Sequence, residues 1–369
     1  MGKMVVVTNL TSERVTAIGM PATRPGPPVC AIVSFRLGGT DGVSIVARSW
    51  AAALTSIGYR IITVAGSGPV DRVLPGLAIG AQTPPDRADV ATALADADLV
   101  VVENLCTIPL NLGAALRVAG VLRGRPAILH HHDPAWQRPQ FAHIDVLPPQ
   151  DSAWRHVTIN RLTEREFARR GLAATTIYNG FDVDLPEGRR HATRAALGVE
   201  DGTLLLAHPV RAIARKDVPA AVRLAEGLGA TYWLLGPAED GYEGELRDVL
   251  AAARTPVLHR PSPGSMADAY AAADAVVFPS TWEGFGNPPL EAALHRRPAA
   301  VGPYPVAAEL RALGFSWFPT DDPAPLLAFL ASPDPDLLDR NEDLVRARFS
   351  QARVEADLRA LIGAAGWGP

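Results

Sequence analysis

The strongest constraint on the fold is an alternation of short apolar runs with helical patterns that passes along the chain twice. "CAIVSF" (30–35), "RIITVAG" (60–66), "DLVVVEN" (98–104), "AILHHH" (127–132), "HVTIN" (156–160) and "TTIYN" (175–179) have strand length and are largely apolar. After the first of them, Val43, Val46, Ala47, Trp50, Ala51 and Leu54 recur on one helical face. Helical patterns near 89–96, 110–123 and 162–171 separate several others. Such an alternation predicts a mainly parallel sheet covered on both faces.

The polar, turn-rich stretch "VDLPEGRRHATRAALGVEDG" (183–202) interrupts this order, and the alternation then restarts. "TLLLAH" (203–208), "TYWLLG" (231–236), "PVLHR" (256–260), "DAVVFP" (274–279) and "PAAVG" (298–302) form the second series. The expected class is α/β, with two Rossmann-like doubly wound units, 29–185 and 200–343, joined by a linker. An arm (1–28) precedes them, and a closing helix follows within 344–369. A chain of 369 residues is long for one core and comfortable for two. Ligands in such sheets bind beyond the carboxyl ends of the strands, and a cleft between two units is the default site.

Composition narrows the function. With 48% hydrophobic and 20% charged residues the chain reads as globular, and a net charge of −4 argues against a general nucleic-acid binder. Its cysteines, Cys30 and Cys106, make no disulfide framework, so a cytoplasmic setting is expected. No apolar run approaches the ~20 residues a membrane span needs. The start has no long apolar region, so a signal peptide is not expected.

Four loops carry candidate chemistry. In "PSTWEGFGNPPLEAALHRRP" (279–298), Asn287 and Pro288 read as N-cap and first residue of a helix, with Glu291 in its first turn. A first-turn carboxylate stabilises a helix by ~0.3–1 kcal/mol, which alone can account for Glu291. It accounts neither for Glu283 nor for Gly284 and Gly286, which flank Phe285 and allow backbone amides to approach a ligand. Amides with a carboxylate at each end suit a polyhydroxylated ligand. In "HPVRAIARKDVPAA" (208–221), Arg211 and Lys216 lie before a helix that Asp217 could cap, a ready anion site. Solvated surface cations are the competing reading. The only lysines are Lys3 and Lys216, which favours a specific point charge at 216. "SFRLGGTDGVS" (34–44) is a glycine-bearing strand-to-helix loop without a dinucleotide or Walker A fingerprint; Gly39 and Gly42 also fit simple turns. In "ILHHHDPAWQRP" (128–139), His130 and His132 share a strand face and His131 does not. No partner with zinc spacing lies nearby in sequence, so no metal is expected. A histidine at the strand's end suits a hydrogen-bonding role in the cleft, or a structural one.

Together these motifs resemble the retaining GT-B glycosyltransferases of family 4, over most of residues 30–345. The E-x7-E signature stands as Glu283 and Glu291, the Arg-to-Lys spacing as Arg211 and Lys216, the glycine loop as "GGTDGVS", the strand-end histidine as His132, and the interdomain Asn-Gly as "YNGFD" (178–182). The resemblance implies that Glu291 holds the ribose of a nucleotide-diphosphate sugar. It sets Glu283, with Gly284, Phe285, Gly286 and Asn287, against the donor sugar. Arg211 and Lys216, helped by the Gly39 and Gly42 loop, would grip the diphosphate, and His132 would lie beside the transferred hexose. It further implies retention of anomeric configuration, no cofactor, and a final helix that crosses back to the first unit. UDP-glucose and GDP-mannose are the donors it suggests.

The sequence departs from the family pattern at "HRRP" (295–298), at "GPYPVAAE" (302–309), and at Thr40 and Asp41. Arg36, Asp41, Asn104 and Arg138 are candidates for the acceptor side. Arg36 or Arg138 would suit a small anionic acceptor. Residues 66–90 lack a basic amphipathic patch, and Glu164 and Glu166 interrupt the arginines of 155–170, so membrane association is not expected. Competing readings are a GT-B disaccharide phosphorylase, a sugar-nucleotide epimerase, and a nucleotide-sugar binder without catalysis.

Overall fold

The structure is a computed structural model, describing residues 26–39, 41–144 and 146–368. Most of the expected arm, with Lys3, and Thr40 lie outside the described residues.

The first series builds a seven-stranded sheet of β1 (Val29–Ser34), β2 (Arg60–Ala65), β3 (Arg72–Val73), β4 (Leu99–Glu103), β5 (Ala127–His131), β6 (Trp154–Thr158) and β7 (Thr175–Thr176). Its order is β3-β2-β1-β4-β5-β6-β7, with every pairing parallel. The second builds a five-stranded parallel sheet of β8 (Leu205–His208), β9 (Thr231–Leu234), β10 (Val257–His259), β11 (Ala275–Phe278) and β12 (Ala299–Val301), ordered β10-β9-β8-β11-β12. The near-continuous apolarity of the strands follows from burial on both faces. In β1, Val29, Ala31 and Val33 join one core cluster while Cys30 and Ile32 join the cluster on the opposite face. Both cysteines are free and buried, and burial pushes the Cys106 thiol up to about 12.

Two expectations are corrected. The polar stretch at 183–202 contains a helix, Arg190–Leu197, docked on the second unit. Its Arg194 is fully buried: it donates to the carbonyls of Ala272 and Glu200, and its guanidinium lies 3.3 Å from the Asp274 carboxylate. A charged residue has polar partners there, which is why polarity misleads as a linker signal. The closing segment is two helices, Pro335–Arg348 and Gln351–Ala365. At the break, Phe181 N donates to Phe349 O at 2.8 Å and Gln351 N to Phe181 O at 2.9 Å. Ser350 caps the second helix by accepting from Arg353 N. That helix sends Val354, Leu358 and Ile362 into the core of the first unit, around Trp50 and Leu54 of the Gly42–Ile57 helix.

Each sheet reverses its strand order once, between β1 and β4 and between β8 and β11. The loops after these four strands are therefore the crevices where ligands bind in open α/β sheets. Contacts between the units bring them face to face. Asn160 Nδ2 donates to Gly284 O at 2.6 Å, and Asn179 Nδ2 to Asn287 Oδ1 at 3.1 Å. Glu309, on the Pro305–Ala312 helix, accepts from Arg161 N (2.9 Å), Leu162 N (2.7 Å) and the Tyr178 hydroxyl (2.8 Å). The two amides open the Arg161–Arg169 helix, where a carboxylate is favoured. Beside them Tyr178, Phe181, Phe285 and Phe349 pack their rings together where the chain crosses.

Candidate active site

The second unit gathers charge at its switch point. After β8 the chain makes a single turn, Ala214–Lys216, and Asp217 caps the Val218–Leu228 helix by accepting from Ala220 N. The turn aims Lys216 and Arg215 at the loop after β11. Lys216 Nζ meets Glu283 Oε1 at 2.5 Å, while Arg215 meets Glu283 Oε2 at 2.6 Å and the Trp282 carbonyl at 2.9 Å. Burial opposes the charge on Glu283, but Lys216 and Arg215 outweigh it and hold its carboxyl below the ordinary range. Burial in turn lowers the Lys216 ammonium, which Glu283 partly offsets. Arg211 stands apart, half exposed, with its guanidinium 2.6 Å from Glu239 Oε2. Behind them His208 ends β8, its Nδ1 2.8 Å from the Tyr232 hydroxyl; burial takes it down to about 3.

The 283–291 loop is shaped by its glycines and prolines. Gly286, rather than Asn287, takes the N-cap position of the Asn287–Leu294 helix, with φ of 104°, and a side chain there would meet the Tyr304 hydroxyl at 2.4 Å. Asn287 instead uses its side chain to accept from Asn179. Phe285 anchors the loop in the aromatic cluster. Glu291 lies beyond the first turn of this helix, not in it as expected, because the helix starts one residue earlier. It accepts from the Tyr270 hydroxyl at 2.8 Å, and burial raises its pKa, which that bond partly offsets. Tyr270 stacks on His295, the first residue of "HRRP", with ring centroids 4.7 Å apart.

The first unit meets this loop at Gly284, where a Cβ would lie 3.4 Å from the His132 carbonyl and 3.5 Å from Asp133 Oδ1. His132 follows β5 directly, and its Nε2 lies 2.8 Å from Glu103 Oε2. Glu103, the last residue of β4, also holds His130 Nδ1 at 3.0 Å. His131 points the other way, onto Thr107 and His156, as strand alternation requires. Among the described residues, Glu103, His130 and His132 are the group whose ligand atoms come close enough for a metal ion, within 4.8 Å of one another. Their mutual hydrogen bonds account for the cluster without one.

The other residues expected on the acceptor side mostly serve the backbone. Asp41 caps the Gly42–Ile57 helix through Ser44 N, with the exposed Arg36 3.4 Å away. Asn104, at φ 58°, accepts from the amides of His132 and Asp133, and Arg138 pairs with Asp133. Gly39 O accepts from Arg48, and a side chain at Gly42 would meet nothing within 4 Å. The neighbour that needs to be glycine is Gly38, at φ 83° against Pro69. A cavity of about 740 Å³ opens beside the charged loop, lined by Asp217, Arg223, Ser280, Tyr304 and Arg311 among others, all from the second unit.

Sequence reading missed Arg215, although it adjoins Lys216. It also missed the Glu103–His130 pairing, whose signal was a polar residue at the carboxyl end of each of two strands. Tyr270 and Asn160 carried no spacing that marks them.

Comparison with known proteins agrees with this fold. Residues 202–328 match the family model "Glycosyl transferases group 1". Mannosylglucosylglycerate synthase of Thermotoga maritima is 24% identical over 346 residues, covering 75% of this chain and 81% of that protein. The enzyme of the same name from Petrotoga mobilis is 24% identical over 368 residues, covering 77% and 84%. Among solved structures, Anabaena Alr3699/HepE in complex with UDP and glucose aligns with a TM-score of 0.72 at 18% identity, over 91% of this chain and all of that one. WaaG, a glycosyltransferase involved in lipopolysaccharide biosynthesis, aligns at 0.65 and 13%, over 90% and 99%. No helix among the described residues is long and apolar enough to cross a membrane.

Proposed function

We propose that the chain is a GT-B glycosyltransferase of the group 1 type that moves a hexose from a nucleotide-diphosphate sugar to a small anionic hydroxyl acceptor with retention of anomeric configuration. The observation that carries this reading is the meeting of Lys216, Arg215 and Glu283, at the switch point of the second unit, with His132, at the carboxyl end of β5, across Gly284.

In this reading Lys216 and Arg215 face the diphosphate, with Arg211 able to swing from its exposed pair with Glu239. The leaving diphosphate gains charge as the glycosidic bond breaks, so preorganised cations act most strongly in the transition state. Glu283 then exchanges part of its ion pairing for the hydroxyls of the donor sugar. Glu291, steadied by Tyr270, accepts from the ribose. His132 binds a hydroxyl of the transferred hexose. The departing phosphate oxygen takes the acceptor proton on the face it leaves, which retains configuration. These residues supply the positive charge, so the reading requires no resident cofactor.

The names of the relatives favour a mannosyl donor and a glycerate-bearing acceptor. In this reading Arg36, exposed and 3.4 Å from Asp41, or Arg138 would meet the acceptor's carboxylate. The test is product formation from GDP-mannose and from UDP-glucose with glycerate and glucosylglycerate, the anomeric configuration read by proton NMR. Transfer from one donor with retention supports the reading, and inversion overturns the mechanism. Turnover that depends on inorganic phosphate would mark a phosphorylase, and conversion of the free donor an epimerase.

A further inference from the structure

We propose that Glu103 is a positioning residue that sets the tautomer and orientation of His132 for the transferred sugar; this rests on the reading of His132 given above. Glu103 is fully buried at the end of β4, and β4 and β5 run in a register that sets it opposite His130. Its carboxylate accepts from two rings at once, His132 Nε2 at 2.8 Å and His130 Nδ1 at 3.0 Å. A carboxylate accepts only, so both facing ring nitrogens carry their protons.

For neutral His132 this leaves Nδ1 unprotonated. Among the described residues Nδ1 has no partner, and it is not one of the sealed orphan nitrogens, in contrast to His130 Nε2. It is therefore the ring atom free to accept from a sugar hydroxyl. The rest of the site holds this geometry. Asn104 accepts from the His132 amide at 3.1 Å, fixing the backbone. Trp50 stacks on His130 with ring centroids 3.9 Å apart, so His130 cannot rotate away, and Glu103 cannot follow it. A carboxylate that orients a histidine through its far nitrogen is a recurrent device at metal centres, where its loss costs about 10–100-fold. Here the ligand in the metal's place would be a hydroxyl.

The experiment is a double-mutant cycle of Glu103→Gln and His132→Ala, read as kcat and KM for the donor, with product-nucleotide stabilisation as a folding and binding control. A glutamine satisfies one ring with its oxygen but turns its amide protons on the other. We expect Glu103→Gln to lower kcat about 10–100-fold with donor KM little changed, and Glu103→Asp to recover part of the loss. In the His132→Ala background Glu103→Gln should cost nothing further. An equal loss in that background, or no loss with His132 intact, overturns the proposal. Should the variants fail to fold, nitrogen-15 shifts of the wild-type imidazoles decide: His132 protonated at Nε2 supports it, and at Nδ1 refutes it. Absence of any wild-type transfer would instead refute the functional reading beneath it.

Discussion

The two switch points are built alike and spent differently. In the first unit Asp41, Asn104 and Arg138 are each engaged with their own neighbourhood: a helix N-terminus, two amides and an aspartate. In the second unit Lys216, Arg215 and Glu283 engage one another, at the loops after β8 and β11. One set of polar residues fixes backbone; the other stores charge. Strand-end polarity alone does not distinguish the two uses.

That contrast breaks most readily at Lys216. Lys216→Ala should lower kcat/KM by about 10²–10³-fold, the scale for removing one preorganised group from a transition state. Arg36→Ala should leave the donor KM unchanged and act only on the acceptor. Equal losses from both in steady-state kinetics would erase the distinction between the units.

Gly286→Ala comes next, because it combines positive φ with a clash against Tyr304, and strain of this kind costs about 1–3 kcal/mol. Gly42→Ala, at an open helical position with no contact within 4 Å, should be neutral or stabilise by up to about 1 kcal/mol. Urea unfolding of both variants checks the pair.

Glu283 and Glu291 should respond to pH with opposite signs. The carboxyl of Glu283 is lowered in the folded state, so its contribution is present above the unfolded value of about 4.3 and is lost as pH falls through the folded value. The carboxyl of Glu291 is raised, chiefly by burial, so stability falls as pH rises from about 4.3 through its folded value. Glu291→Gln should therefore flatten the loss on the rising side, measured as ΔG of unfolding against pH, and leave the acid limb intact.

A small effect, confined to stability, is expected at Asp41. Removing this cap should cost about 1 kcal/mol in ΔG of unfolding while donor kinetics stay unchanged. A tenfold loss of turnover in Asp41→Ala would return it to the acceptor site.

Legibility in the sequence followed the same division. The strands were legible because burial on both faces leaves continuous apolar runs such as Val29–Ser34. Lys216, Glu283 and Glu291 stood out because a rare residue type and a fixed spacing mark them. Arg215 did not, since one arginine among many carries no pattern. The Arg190–Leu197 helix was hidden because Arg194 meets its partners only after folding. Glu103 did not stand out because its partners lie 27 and 29 positions along the chain. The break at Phe349 is set by a backbone exchange with Phe181, which has no side-chain signature.

The carboxylate of Glu309 ties the units with bonds that water can replace one for one, at nearly equal enthalpy. The aromatic rings beside it have no such substitute. One edge of the joint is therefore held by bonds that water can replace, and the other by packing that it cannot. In native-state hydrogen exchange the amides of Arg161 and Leu162 should accordingly exchange well before those of β11, and occupancy by a donor should slow them.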